Sequence, residues 1–272
     1  MKKAVCLSFS PQCRTIRSMN RPVRLSRNTI KYTAVIAMTC NHIANALLTE
    51  GTAIYELLTD IGYFTALAMT FLLAEGYRFT SDLKKYKGRL FVFGLLSQIP
   101  YYLAFGYPQA NIMFTLLICL YINQILDTMP RSAKRSLILM GLTALSVFCD
   151  WACIPALFTI FLSMARDRRG RFLAFVYASL IFGGFNYLSF TLPPYGYAPA
   201  AALLHAFFTM ITPLLSGVVC LYLYDGGENS AEAETDVIMN RKGGHFNKWF
   251  FYIYYPAHLT VLAVVKYLIF LR

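Results

Sequence analysis

Apolar residues run through this chain in long stretches separated by short polar segments. The alternation predicts helices at about 30–49, 57–76, 90–106, 111–127, 136–149, 151–165, 172–192, 199–223 and 249–270. Together they describe an all-α fold: a polytopic integral membrane helical bundle of about nine transmembrane helices. Two of the stretches, 136–149 and 151–165, meet at Cys149-Asp150-Trp151. Each is short for a hydrocarbon core of about 30 Å, so the pair reads as tilted, re-entrant or one broken helix. Ahead of the first stretch, residues 1–28 form a basic cytoplasmic tail without the apolar core of a signal peptide, expected to be disordered. The membrane domain then takes up 29–272, with a flexible cytoplasmic connector at 224–248 rich in Gly, Glu and Asn.

Composition agrees with the pattern: 57% of residues are hydrophobic, 14% are charged, and the mean hydropathy is +0.51. The net charge of +12 does not point to nucleic acid, because the basic residues are dispersed between apolar stretches and gather on no water-facing domain. Their distribution reports topology instead. Of 25 Lys and Arg, 22 fall in the tail, in RFTSDLKKYKGR, in DTMPRSAKR, in RDRRGR and in the 224–248 connector, whereas the alternate loops have none. By the positive-inside rule the N-terminus is cytoplasmic and the C-terminus lies outside. The seven cysteines have neither zinc-site spacing nor the density of a disulfide framework, and no metal site is expected. Gly-rich phosphate loops, GxSxG elbows and HExxH are also absent, which removes the common soluble-enzyme chemistries.

What remains is a set of polar residues at membrane depth. In RNTIKYTAVIAMTCNHIANALL, Lys31 and His42 stand eleven positions apart. That is close to three helical turns, so both share one stripe, about 16 Å apart along the axis. Ionisable groups inside a membrane helix usually face a bundle interior or a wet cavity. The competing reading makes Lys31 an interfacial anchor and His42 a buried hydrogen-bonding residue. His205 and His258 are expected at depths near that of His42, which suggests a shared polar cavity, while Asp60 is shallower and reads equally as a helix-end charge. Pro256, two residues before His258, is expected to disturb its helix and free a backbone carbonyl. Glu75, Tyr77, Arg78 and Arg89 stand near the inner surface with Lys84, Lys85 and Lys87, and with Lys31 they concentrate positive charge beside the cavity's inner mouth. Such a mouth suits a phosphorylated cofactor, although basic residues after a span are also expected from topology alone.

The motifs KYTAVIAMTCNHI, FLLAEGYRFTSDLKKYKGRL, CDWACIPALF and YYPAHL, in that order, resemble the TraX family of membrane proteins over roughly residues 28–270. That family in turn resembles the integral-membrane acyltransferases of type 3. The resemblance implies an acyltransferase in the bacterial inner membrane, with acetyl-CoA as cytoplasmic donor and an acceptor at the outer side. The acceptor would be a pilin-like N-terminus, a glycan or a lipid headgroup. It also implies His42 as the catalytic histidine, with Asn41 and His258 beside it, and Lys31, Glu75, Tyr77 and Arg78 at the donor site. Asn41 departs from the family pattern, which commonly has Asp at this position. Two other readings stand beside the enzyme: a transporter or channel for a small polar solute using a histidine proton relay, and a membrane scaffold without chemistry.

Overall fold

The computed structural model describes residues 25–193, 195–224 and 232–270, with the backbone alone over 232–248. In chain order the helices are α1 (Arg27–Leu47), α2 (Ala53–Gly62), α3 (Phe64–Phe79), α4 (Leu83–Phe105), α5 (Ile112–Thr128), α6 (Ala133–Leu145), α7 (Ile154–Met164), α8 (Arg168–Thr191), α9 (Pro199–Val218) and α10 (Glu232–Phe270). A 3₁₀ turn, Ser146–Phe148, follows α6, and a π-helical turn, Val219–Leu223, follows α9. No strand forms among the described residues; isolated bridges pair Leu25 with Tyr224 and Ala110 with Cys149. Of the tail expected over 1–28, residues 1–24 lie outside the described residues, as do 225–231 of the expected connector; from Glu232 the backbone is helical.

Side-chain caps set where many helices begin. Ser26 accepts from the backbone N–H of Thr29 at 3.1 Å, Asn111 from Met113 at 3.1 Å, Ser132 from Arg135 at 3.2 Å and Asp167 from Gly170 at 2.7 Å. Each such cap stabilises by about 1 kcal/mol and fixes which residues face inward. Asp82 caps α4 in the same way, and the Lys85 backbone N–H, then its side chain, hold the exposed carboxyl below the usual carboxylate range.

Every expected apolar stretch is helical, but with different boundaries. Four stretches are long and apolar enough to cross a bilayer: Ala53–Phe79, Arg168–Thr191, Pro199–Leu223 and Trp249–Ile269; Ile112–Thr128 and Ile154–Met164 are shorter apolar helices. The expected 57–76 helix is interrupted at Tyr63, just after Gly62 meets α1. A Cβ at Gly62 would run into the Asn41 side chain, so glycine is what lets α1 and α2 approach. The basic run after α3 is largely helical, because Asp82 starts α4 at Leu83. The 136–165 region forms two helices joined by a tight corner, where Trp151 and Ala152 take φ of 63° and 40°.

Helix α1 is central, packed on α2, α3 and α10; α4 packs on α10 and α5; α7 lies between α5 and α8; and the α8–α9 hairpin closes the side of α3. One core, including Ile30, Leu67, Phe71, Phe158 and Phe175, joins α1, α3, α7 and α8. A second, including Leu90, Tyr101, Leu120, Tyr255 and Leu259, joins α4, α5 and α10. The outward faces are apolar as well: Ile99 on α4 is 71% exposed and Leu203 on α9 63%. An outer surface of this kind is suited to lipid rather than water.

Candidate functional site

A cavity of about 490 Å³ lies between the two cores, lined from α1, the end of α2, α3, α4, α5, α10 and the corner after α6. At the end where α1 and α4 begin, its lining includes Arg27, Lys31, Tyr86 and Arg89. Its other end includes Asn41, Gly62, Asp150 and Trp151. His42, next to Asn41 on α1, lines it as well.

The hydrogen bonds around His42 determine its tautomer. His258 Nδ1 lies 2.9 Å from the Tyr254 carbonyl, which can only accept, so that nitrogen carries the proton. In a neutral ring His258 Nε2 is then an acceptor, and it sits 2.8 Å from His42 Nδ1. His42 must therefore donate from Nδ1, which leaves its Nε2 as an unprotonated acceptor. The rings lie within 5° of parallel, and Phe105 meets His42 edge-on at 5.1 Å, so the imidazole has little freedom to turn. Thr39 fixes the same seam. Its hydroxyl donates to the Val35 carbonyl at 2.8 Å, so the Tyr254 hydroxyl donates to Thr39 Oγ1, also at 2.8 Å. The helix runs unbroken through Pro256, and the carbonyl that His258 uses is that of Tyr254, not one freed by the proline.

Asn41 occupies both sides of its amide with neighbours. Its Nδ2 donates to the Thr59 carbonyl at 3.1 Å, and its Oδ1 accepts from Asn45 at 3.0 Å. A carboxylate here would oppose the Thr59 carbonyl, which gives a physical reason for Asn at this position. Lys31 makes no hydrogen bond or ion pair among the described residues and stands 5.2 Å from the Phe251 ring centre. Glu75 lies outside the lining, 3.2 Å from Arg27, and accepts from the Tyr224 hydroxyl at 2.6 Å. Tyr77 donates to Asp127 at 3.0 Å, and Arg78 is exposed; neither lines the cavity. Lys87 is held by Gln124, and Lys85 by Asp82.

Of the three histidines expected to share a cavity, two come together. His205 packs instead against Phe190 and Tyr197, with ring centres at 5.2 and 5.3 Å, within electrostatic reach of Asp60. Similar depth did not suffice, because α9 is paired with α8 and has no packed seam with α1 or α10. Arg27, Arg89 and Asp150 are cavity residues, of which the sequence pointed only to Arg89, as part of the basic cluster at the inner mouth. A helical signal for the first two exists: Arg27 stands four before Lys31, and Tyr86, Arg89 and Leu90 share one face of α4. Asp150 has no such signal, since its position follows from the turn at Trp151. Among the described residues no group of three or more His, Cys, Asp or Glu is placed to hold a metal ion.

The model of the family described as TraX protein matches residues 26–266. The chain belongs to the TraX family. A curated relative, the probable fimbrial assembly protein FimC, serogroup H1, of Dichelobacter nodosus, is 27% identical over 267 residues, 91% of this chain and 98% of the relative. No solved structure matches. With its apolar helices, this TraX member is a multi-pass membrane protein.

Proposed function

We propose that this TraX protein is a membrane-embedded acyltransferase of the bacterial inner membrane. In this reading it moves an acetyl group from cytoplasmic acetyl-CoA to an amine or hydroxyl presented from the outer side, with His42 as general base. The observation that carries the reading is the tautomer of His42: its hydrogen-bonded Nδ1 leaves a basic Nε2 at a cavity with a cationic end. Lys31, Arg27 and Arg89 are suited to the phosphates of the donor, and the buried Nε of Arg89 has no hydrogen-bond partner among the described residues. Glu75 supports that end by orienting Arg27. The positive-inside pattern supports a cytoplasmic N-terminus and so puts the cationic end on the donor's side.

The chemistry balances without a further reactant. Nε2 accepts the proton of the attacking nitrogen or oxygen, the N–C or O–C bond forms, and the thioester C–S bond breaks. The imidazolium then returns the proton to the departing thiolate. A proton-relay transporter fits less well, because the histidine pair ends on the Tyr254 carbonyl, which accepts a hydrogen bond but passes no proton onward. The relative's printed name, a fimbrial assembly protein, supports a pilin-like acceptor.

The test is acetyl transfer by the purified chain. His42→Gln keeps hydrogen bonding but lacks the ring base, and transfer is expected to fall about 10²–10⁴-fold with membrane insertion intact. Full activity in His42→Gln would reduce His42 to a packing residue.

A further inference from the structure

Tyr255 is a polar residue of the cavity that has no task in the acyl-transfer reading above. It is 2% exposed and lines the cavity from α10. Its ring meets His42 and His258 edge-on, with ring centres at 6.2 and 5.5 Å, and belongs to the core that includes Leu120 and Leu259, so it has little freedom to turn. The hydroxyl is thus carried inside, yet it completes no hydrogen bond among the described residues. A buried hydroxyl left this way costs about 1–3 kcal/mol, and such a group in a folded protein calls for an explanation.

The oxygen side of the hydroxyl is accounted for. It faces the backbone N–H of Ile112, the first residue of α5. That N–H belongs to a helix N-terminus, where the opening N–H groups have no partner within the helix. Asn111 spends its side-chain oxygen on the Met113 N–H at 3.1 Å, which leaves Ile112 to Tyr255. Gln98 of α4 accepts from the Asn111 backbone N–H at 3.0 Å and so holds the start of α5 in place. An N–H can approach only the lone pairs of the phenol oxygen, so the O–H proton is still to be given. Asp150, within electrostatic reach, does not take it: no hydrogen bond joins the two among the described residues, and the Asp150 carboxyl accepts from the Trp151 N–H.

We propose that Tyr255 is a catalytic residue, donating its O–H to the carbonyl oxygen of the acyl group as negative charge builds there. The inference rests on the acyl-transfer reading and supplies the group that meets the charge which His42 helps to create. As the N–C or O–C bond forms, the carbonyl π pair moves onto oxygen, and Tyr255 donates a hydrogen bond to that oxyanion while keeping its own proton. When the C=O bond forms again the C–S bond breaks, and the proton taken by His42 goes to the sulfur. A preset donor in a site shielded from water acts mainly on the transition state. The positive end of the α5 dipole behind the hydroxyl works in the same direction.

Tyr255→Phe removes the hydroxyl and keeps the ring. With the full chain in nanodiscs, kcat for acetyl transfer is expected to fall about 10²-fold while the Kd for acetyl-CoA stays unchanged. The Tm is expected to hold or rise, since the variant loses a buried group that had no hydrogen bond. An unchanged kcat in this folded variant would overturn the proposal and leave the acyl-transfer reading standing. A fall in kcat together with a lower Tm and weaker donor binding would overturn it as well, because the hydroxyl would then be structural. Isotope-edited infrared spectra of bound acetyl-CoA, labelled with ¹³C at the carbonyl, read the contact without any transfer. The thioester C=O stretch is expected at lower frequency in the unaltered chain than for a simple thioacetate ester in hydrocarbon, and to move back up in Tyr255→Phe. A stretch at the hydrocarbon frequency in the unaltered chain would overturn the proposal even if the variant does not fold. A Tyr255-dependent downshift without transfer would uphold the hydroxyl as the carbonyl's donor and remove the acyltransferase reading.

Discussion

The seam between α1 and α10 and the hairpin of α8 and α9 are both built from apolar helices, and each contains histidine expected at similar depth, yet of the two only the seam brings a histidine to the cavity. On the seam, His42 and His258 meet each other at 2.8 Å, and the second ring ends on a backbone carbonyl, so one nitrogen is left basic at a cavity. On the hairpin, His205 meets two aromatic rings and, among the described residues, no second histidine. In the proposed acyl-transfer reading, membrane depth alone is therefore not what distinguishes a functional histidine. What matters is a partner that fixes its tautomer and a cavity that uses the free nitrogen.

Replacing His258 breaks the comparison most strongly among variants outside the base itself. His258→Phe keeps the seam apolar but removes the acceptor for His42 Nδ1, and kcat for acetyl transfer is expected to fall about 10–100-fold, as for other groups that orient a reacting side chain. Its KM for acetyl-CoA should not change, and the same substitution at His205 should leave both constants near those of the unaltered chain. A KM effect as large as the kcat effect would make His258 part of the donor site instead.

The cationic end sharpens the comparison at the next level. Lys31→Ala is expected to raise the KM for acetyl-CoA about tenfold with little change in kcat, because it removes binding made equally in ground and transition states. Lys31→Arg should recover part of that loss. Arg78, exposed and outside the lining, should give a smaller effect as Ala. Steady-state kinetics on the three variants decide the order.

The smallest expected effect is on packing. Gly62→Ala drives a methyl group into Asn41 and should lower the unfolding stability in detergent by about 1–3 kcal/mol. Gly141→Ala, where nothing stands within 4 Å of the new methyl, should be neutral or slightly stabilising.

Much of this architecture was legible in the residues because apolar length and helical spacing are local properties. The nine helical stretches, and the stripe that puts Lys31 and His42 on one side of α1, required only counting. The pairing of His42 with His258 was legible in part, as a shared depth, but depth treats His205 alike. Only the packing of α10 against α1 and of α9 against α8 separates them. Basic residues near the inner surface were the least separable. Arg89 turns inward and Arg78 outward although both belong to one basic run, because Asp82 sets the register of α4. Asp150 required a backbone turn at positive φ that a Trp-Ala pair does not announce.

The central claim is that His42 presents a basic Nε2 because its Nδ1 donates to His258. It can be read directly from ¹⁵N-histidine NMR of the full chain in nanodiscs at neutral pH, with His→Gln variants assigning the signals. Both His42 and His258 are expected to be neutral, protonated at Nδ1 and unprotonated at Nε2, with a coupling across the His42 Nδ1–H to His258 Nε2 hydrogen bond. A proton on His42 Nε2 would contradict the account, since no base would then face the cavity.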